Sequence, residues 1–117
     1  MSIDNVVTEL VLAWSRETSS DPVNWSDSNP AYGQCAVSAL VIQSVMGGDL
    51  LRAKVGSVSH YWNRLSCGIE LDVTRGQFDP DTAIPRGEIR TREYVLSFEE
   101  TKNRYDRLME NIMRLRA

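Results

Sequence analysis

A chain of 117 residues with 42% hydrophobic and 25% charged side chains is long enough for one buried core and too short for two, so a single domain is expected. A net charge of −3, from 13 basic and 16 acidic groups, argues against a nucleic-acid binder, which depends on neutralising phosphate. No apolar run approaches the ~20 residues of a membrane-spanning helix.

The N-terminus, Met1-Ser2-Ile3-Asp4-Asn5, lacks the basic start of a secretory signal, so a cytoplasmic protein is the expectation. Two cysteines in that compartment read as free thiols. They form no CxxC pair, and with a single histidine in the chain no zinc site and no cofactor are expected. Charge is uneven: residues 1–85 hold 5 basic and 10 acidic groups, residues 86–117 hold 8 and 6. The basic tail half has both signs interspersed, as on a solvated helix.

Ile3, Val6, Val7, Leu10, Val11 and Trp14 recur at helical spacing, which predicts an amphipathic helix over 3–15 capped by Ser2. Residues 17–33, rich in Ser, Asp, Asn, Pro and Gly, read as a long loop. Within it Trp25 either pins the loop to the body or lines a cleft. Residues 35–46 are apolar on most sides and predict a buried central helix stopped by Gly47-Gly48. Leu50–Val55 alternates as a half-buried strand, 58–65 forms a second and 69–74 a third.

The connection Ser66-Cys67-Gly68 decides the register of the second hairpin. A three-residue loop sets Leu65 opposite Ile69 and puts His60 and Asp72 on one face, whereas a two-residue loop turns Asp72 away with Asn63. Residues 75–92 read as surface loop anchored by Phe78 and Ile84. Residues 92–96 read as a short strand, and Ser97 with Glu100 as a capping box opening a helix whose buried face is Tyr105, Leu108, Met109, Ile112 and Leu115.

The chemistry gathers around Cys35. A cysteine entering a helix N-terminus meets unpaired N–H groups and the positive end of the dipole, which favour the nucleophilic thiolate. His60 supplies an imidazole base, and Asp72 or Asn63 can orient it. Gln34 either donates its amide to an oxyanion or is a hydrogen-bonded turn residue. Trp62 and Trp25 are candidate cleft walls, and Cys67 sits at an exposed turn tip.

The motifs Asn29-Pro-Ala-Tyr-Gly-Gln-Cys-Ala-Val37, Gly47-Gly48, His60-Tyr-Trp-Asn63 and Asp72-Val-Thr-Arg-Gly-Gln-Phe78 resemble the YunG-like family of small uncharacterised bacterial proteins. That resemblance implies a bacterial-type cytoplasmic protein and no particular activity. More distantly, a helix-borne Cys followed by strand-borne His and Asp resembles the core of papain-like and transglutaminase-like enzymes, and implies Cys35 as nucleophile, His60 as base and Asp72 as orienter. The chain departs from those enzymes in its small size and in an interval of only 25 residues from Cys to His.

The expected architecture is α+β, a central Cys-bearing helix on a small antiparallel sheet flanked by the first and last helices. The expected function is a thiol hydrolase or acyl/amide transferase acting on an unidentified small molecule or peptide. The alternative is a non-catalytic binding domain on the same scaffold, using the 17–33 loop as its contact surface.

Overall fold

In the computed structural model, which describes residues 2–117, the chain is α+β. Helices α1 (Ile3–Ala13), α2 (Cys35–Met46), α3 (Arg92–Leu96) and α4 (Glu99–Arg116) surround one antiparallel sheet. Its strands β1 (Asp49–Val55), β2 (Val58–Arg64), β3 (Glu70–Leu71) and β4 (Glu88–Arg90) lie in the order β3-β2-β1-β4. No helix among the described residues is long and apolar enough to cross a membrane.

Helix α2 is central because it is apolar on most sides, with Cys35 and Val37–Ile42 buried. Val37, Val41 and Ile42 pack with Val6, Leu10, Leu108 and Ile112 of α1 and α4. Ala39 and Leu40 pack with Leu50 of β1 and Val95 of α3. Burying a side chain such as Leu40 or Ile42 completely contributes about 1.5–3 kcal/mol, so these contacts outweigh the weak helix propensity of the β-branched residues. The flanking helices are amphipathic as expected, and Ser2 accepts a hydrogen bond from Asn5 N–H at the start of α1. Leu115, expected on the buried face of α4, is exposed: the apolar contact with α1 ends at Ile112, and beyond it Arg116 pairs with Glu9 instead.

The β2–β3 hairpin adopts the three-residue loop. Leu65 N–H donates to Ile69 O, and Gly68, at φ +91°, closes the turn in a conformation that favours glycine. Asn63 pairs with Leu71 and Arg64 with Glu70, and regular pairing stops there. The third strand is therefore shorter than the expected 69–74: the chain turns at Val73-Thr74 into a 3-10 turn over Arg75–Gln77.

Three local expectations are corrected. Residues 92–96 form a helix: Thr91 accepts from Tyr94 N–H as its cap, and Val95 points into the α2 core. The strand of this region comes earlier, at Glu88–Arg90 on the open edge of β1, inside the stretch expected to be loop. Ser97 does not cap α4, because its hydroxyl donates to Tyr94 O at 2.6 Å and closes α3 instead. Helix α4 begins one residue late, with Phe98 as an N-cap that makes no side-chain hydrogen bond.

Alternation gives the sheet two different faces. Tyr61 and Asn63 point toward α2, where Asn63 Nδ2 donates to Ala39 O at 2.9 Å. Trp62, Leu51 and Ala53 point the other way and are covered by Ile84. The covering segment passes so close that a Cβ built on Gly87 would lie 2.6 Å from Trp62 Cζ2 and 2.8 Å from Leu51 Cβ. Gly87→Ala should therefore destabilise the domain by about 1–3 kcal/mol, as overpacking does. Gly76→Ala, which meets open space, should stay within about 0.5 kcal/mol of the wild type. Urea midpoints of the two variants check both.

Candidate functional site

Cys35 is the first residue of α2, held there by the turn before it. Gly33 N–H donates to Gln77 Oε1 at 3.2 Å, and Ser20 N–H donates to Gly33 O at 2.9 Å. Gln34 is fully buried, with both ends of its amide engaged. Its Oε1 accepts from Thr18 Oγ1 at 2.7 Å, and its Nε2 donates to Ser15 O at 2.9 Å. The side chain of Gln34 thus anchors the turn to the 3-10 segment Arg16–Thr18. Ser38 N–H is the first of α2 to bond within the helix, at Gln34 O, which leaves the N–H groups of Cys35, Ala36 and Val37 without an intrahelical acceptor at the end that carries the thiol.

The Cys35 sulfur lies at the outer edge of β2, 3.6 Å from Ser59 O. The imidazole of His60 lies just beyond, on the Trp62 face, and is fully buried. Its ring stacks on Trp62 at 5.4 Å and meets the Phe78 ring edge-on at 4.9 Å. Nε2 is 2.6 Å from Asp72 Oδ2. Nδ1, left for the thiol side, is 3.3 Å from Gln77 Nε2, whose amide also donates to Thr74 Oγ1. Thr74 in turn donates to the second Asp72 oxygen at 3.5 Å. Burial opposes charging of the ring, but the hydrogen bonds that the charged ring donates to Asp72 and Cys35, and the negative charges of both, outweigh it, and His60 is pushed up to about 9.

The structure therefore brings Cys35, His60, Asp72 and Trp62 into one cluster. Trp62 backs the imidazole and donates its Nε1 to Glu70 at 2.7 Å. Trp25 stands apart: it donates to Pro30 O at 3.0 Å beneath the Arg16 guanidinium and pins its own loop. Asn63 is on the α2 face, so it cannot orient His60. Cys67 is an exposed free thiol, and no cluster of metal-binding side chains occurs among the described residues.

A cavity of about 440 Å³ opens over the thiol on the helix side of the sheet. Its walls include Cys35, Val58, Tyr61, Tyr94, Phe98 and the two arginines Arg52 and Arg104. Gln77 and the arginines carried no local signal as site residues. Gln77 lies within the Asp72–Phe78 motif, but only the folded turn reveals that it spans the Cys35 turn and the imidazole.

A family model described as YunG protein matches residues 2–116. Over 76 residues the chain is 37% identical to the uncharacterized protein YunG of Bacillus subtilis (strain 168), a match covering 65% of this chain and 63% of that relative. The chain thus spans about 63% of the length of the curated relative it matches. No solved structure matches.

As the chain has one histidine, its titration is directly readable. The His60 ring resonances should titrate with a midpoint near 9 instead of the ordinary 6.5. Asp72→Asn removes the carboxylate that holds the proton and leaves burial to favour the neutral ring, so the midpoint should fall. An NMR titration of both proteins checks the direction.

Proposed function

This chain belongs to the YunG family, and we propose that it is a thiol-dependent hydrolase or acyl/amide transferase acting on a small molecule or peptide. The observation that carries this reading is the imidazole held between Asp72, at 2.6 Å, and Cys35 at a helix N-terminus. Its order of helix-borne Cys, strand-borne His and Asp resembles that of papain-like and transglutaminase-like enzymes. The chemistry is argued from this chain's own residues. Its two free thiols suit a reducing compartment such as the cytoplasm.

The thiol proton passes to His60 Nδ1, and Asp72 holds Nε2–H so that the ring keeps its orientation. The thiolate adds to the carbonyl carbon, forming a C–S bond and moving an electron pair onto oxygen. First-turn N–H groups of α2 face that developing charge, aided by the helix dipole. Collapse breaks the bond to the leaving group, which takes the proton from the imidazolium and departs. The resulting thioester is attacked by water, or by an acceptor amine, which gives its proton to His60. The C–S bond then breaks and the thiolate is restored.

Gln77 is a positioning residue, since it ties the ring to the turn that carries Cys35. Loss of its amide should reduce thiol reactivity less than loss of Asp72.

In a Cys67→Ser background, iodoacetamide should alkylate Cys35 about tenfold faster at pH 7 than it alkylates a free thiol, because His60 stands ready to take the thiol proton. Asp72→Ala should remove most of that gain without unfolding the domain, while the melting temperature falls because the buried His60 Nε2 loses its partner. A p-nitrophenyl acetate burst should leave an acetyl group on Cys35, detected by peptide mass spectrometry. A rate equal to that of a free thiol, with the free thiol's pH profile and no acetyl adduct, would overturn the enzyme in favour of a binding domain.

A further inference from the structure

The cavity over Cys35 contains two guanidinium groups and no carboxylate. Arg52 projects from β1, with Nε 3.0 Å from Ser59 Oγ and Nη2 on the same oxygen. Glu88, its cross-strand neighbour in register, is turned to Arg90 at 3.6 Å. Arg104 projects from α4 and makes only long hydrogen bonds, 3.4 Å to Thr18 O and 3.3 Å to Thr101 Oγ1. Glu100 acts on it only at a distance, and neither arginine has an ion-pair partner among the described residues.

Burial works against the charge of Arg104 and lowers its proton affinity. A partly buried guanidinium without a counter-ion is costly to hold. Arg104 has spare donors in a planar fork, the geometry that fits a carboxylate. Tyr61, Tyr94, Val58 and Phe98 complete the cavity with apolar and aromatic surface. Tyr94 and Phe98 are half exposed and meet edge to face at 5.4 Å. Such a cavity fits an apolar segment with an anionic end, and its volume of about 440 Å³ suits a small molecule or one or two peptide side chains.

We propose that Arg52 and Arg104 recognise a carboxylate on the substrate, so that the acyl or amide compound presented to Cys35 is a carboxylate-bearing one joined through a short apolar segment. This rests on the thiol reading above and names its substrate class. The reaction is the one already written: the carboxylate stays intact and only the acyl carbon exchanges partners.

Paired thiol reagents of matched reactivity test it in the Cys67→Ser protein: iodoacetate against iodoacetamide, and 3-maleimidopropionate against N-ethylmaleimide. Each ratio is divided by the same ratio for free glutathione. The carboxylate reagent should be favoured by about tenfold, the factor that 1.4 kcal/mol corresponds to. Arg52→Gln should remove most of that preference, read as the ratio of carboxylate-reagent to neutral-reagent rates within the variant, so that any change in the reactivity of the thiol itself cancels. Arg104→Lys, which keeps the charge and loses the fork, should reduce it partly, with circular dichroism melts confirming that both variants fold.

Fast neutral alkylation with no carboxylate preference would overturn this proposal and leave the thiol enzyme standing. Slow, free-thiol-like neutral alkylation would overturn the enzyme, and with it the substrate assignment, even if anionic reagents were still favoured. A preference that survives both arginine variants would also overturn it.

Discussion

An imidazole with no access to solvent must find a partner for each nitrogen, and much of this domain supplies them to His60. Asp72 reaches Nε2 at 2.6 Å only because a three-residue loop sets the hairpin register. Gln77 reaches the Nδ1 side only because the chain turns at once into the 3-10 segment Arg75–Gln77. Trp62 and Phe78 then close the ring off from water. Burial alone favours a neutral ring, yet the net effect is upward to about 9. Hydrogen bonds to charged groups contribute roughly 1.5–3 kcal/mol each, enough to reverse the burial term.

The shortness of β3 matters as much as its register. Pairing with β2 ends at Asn63–Leu71, so the outer edge of β2 beside Ser59 and His60 carries no neighbouring strand. That is the place Cys35 occupies, 3.6 Å from Ser59 O. A third strand running through residue 74 would have paired along this edge and excluded the thiol. The early turn also takes Asp72 off the ladder, which leaves its carboxylate to the imidazole and to Thr74. An open strand edge is usually a liability; here a helix N-terminus covers it.

Much of this was legible from residue pattern because the signals were local and strong. The helical spacing of α1 and α4, the apolar run of α2 with its Gly-Gly stop, and Gly68 in the loop led to the α+β architecture and to the register that sets Asp72 beside His60. The misreadings occurred where two local signals competed and tertiary contacts chose between them. Arg90 to Leu96 has residues suited to either element. Helix wins because Thr91 caps it and Arg92 staples it to Leu40 O, Gln43, Ser44 and Tyr105. Ser97 stood at the right spacing to cap α4 but was used to end α3. Arg52 and Arg104 are 52 residues apart in the chain, so no window along it could have paired them.

The placement of charge around the cluster has a direction. The positive groups, Arg52 and Arg104, line the cavity on the thiol side, and Arg104 is close enough for its charge to couple to that of Cys35. The negative group, Asp72, lies across the imidazole from the thiol. A field with this sense favours moving a proton from sulfur to ring, since it lowers the energy of a negative sulfur and of a positive imidazolium together. Low polarity around a fully buried ring strengthens both interactions relative to water. A carboxylate seated on the two arginines would neutralise part of that field. On the reading proposed above, substrate binding and proton transfer from sulfur to ring would then be coupled through the same guanidinium groups, because a seated carboxylate would weaken the field that drives that transfer.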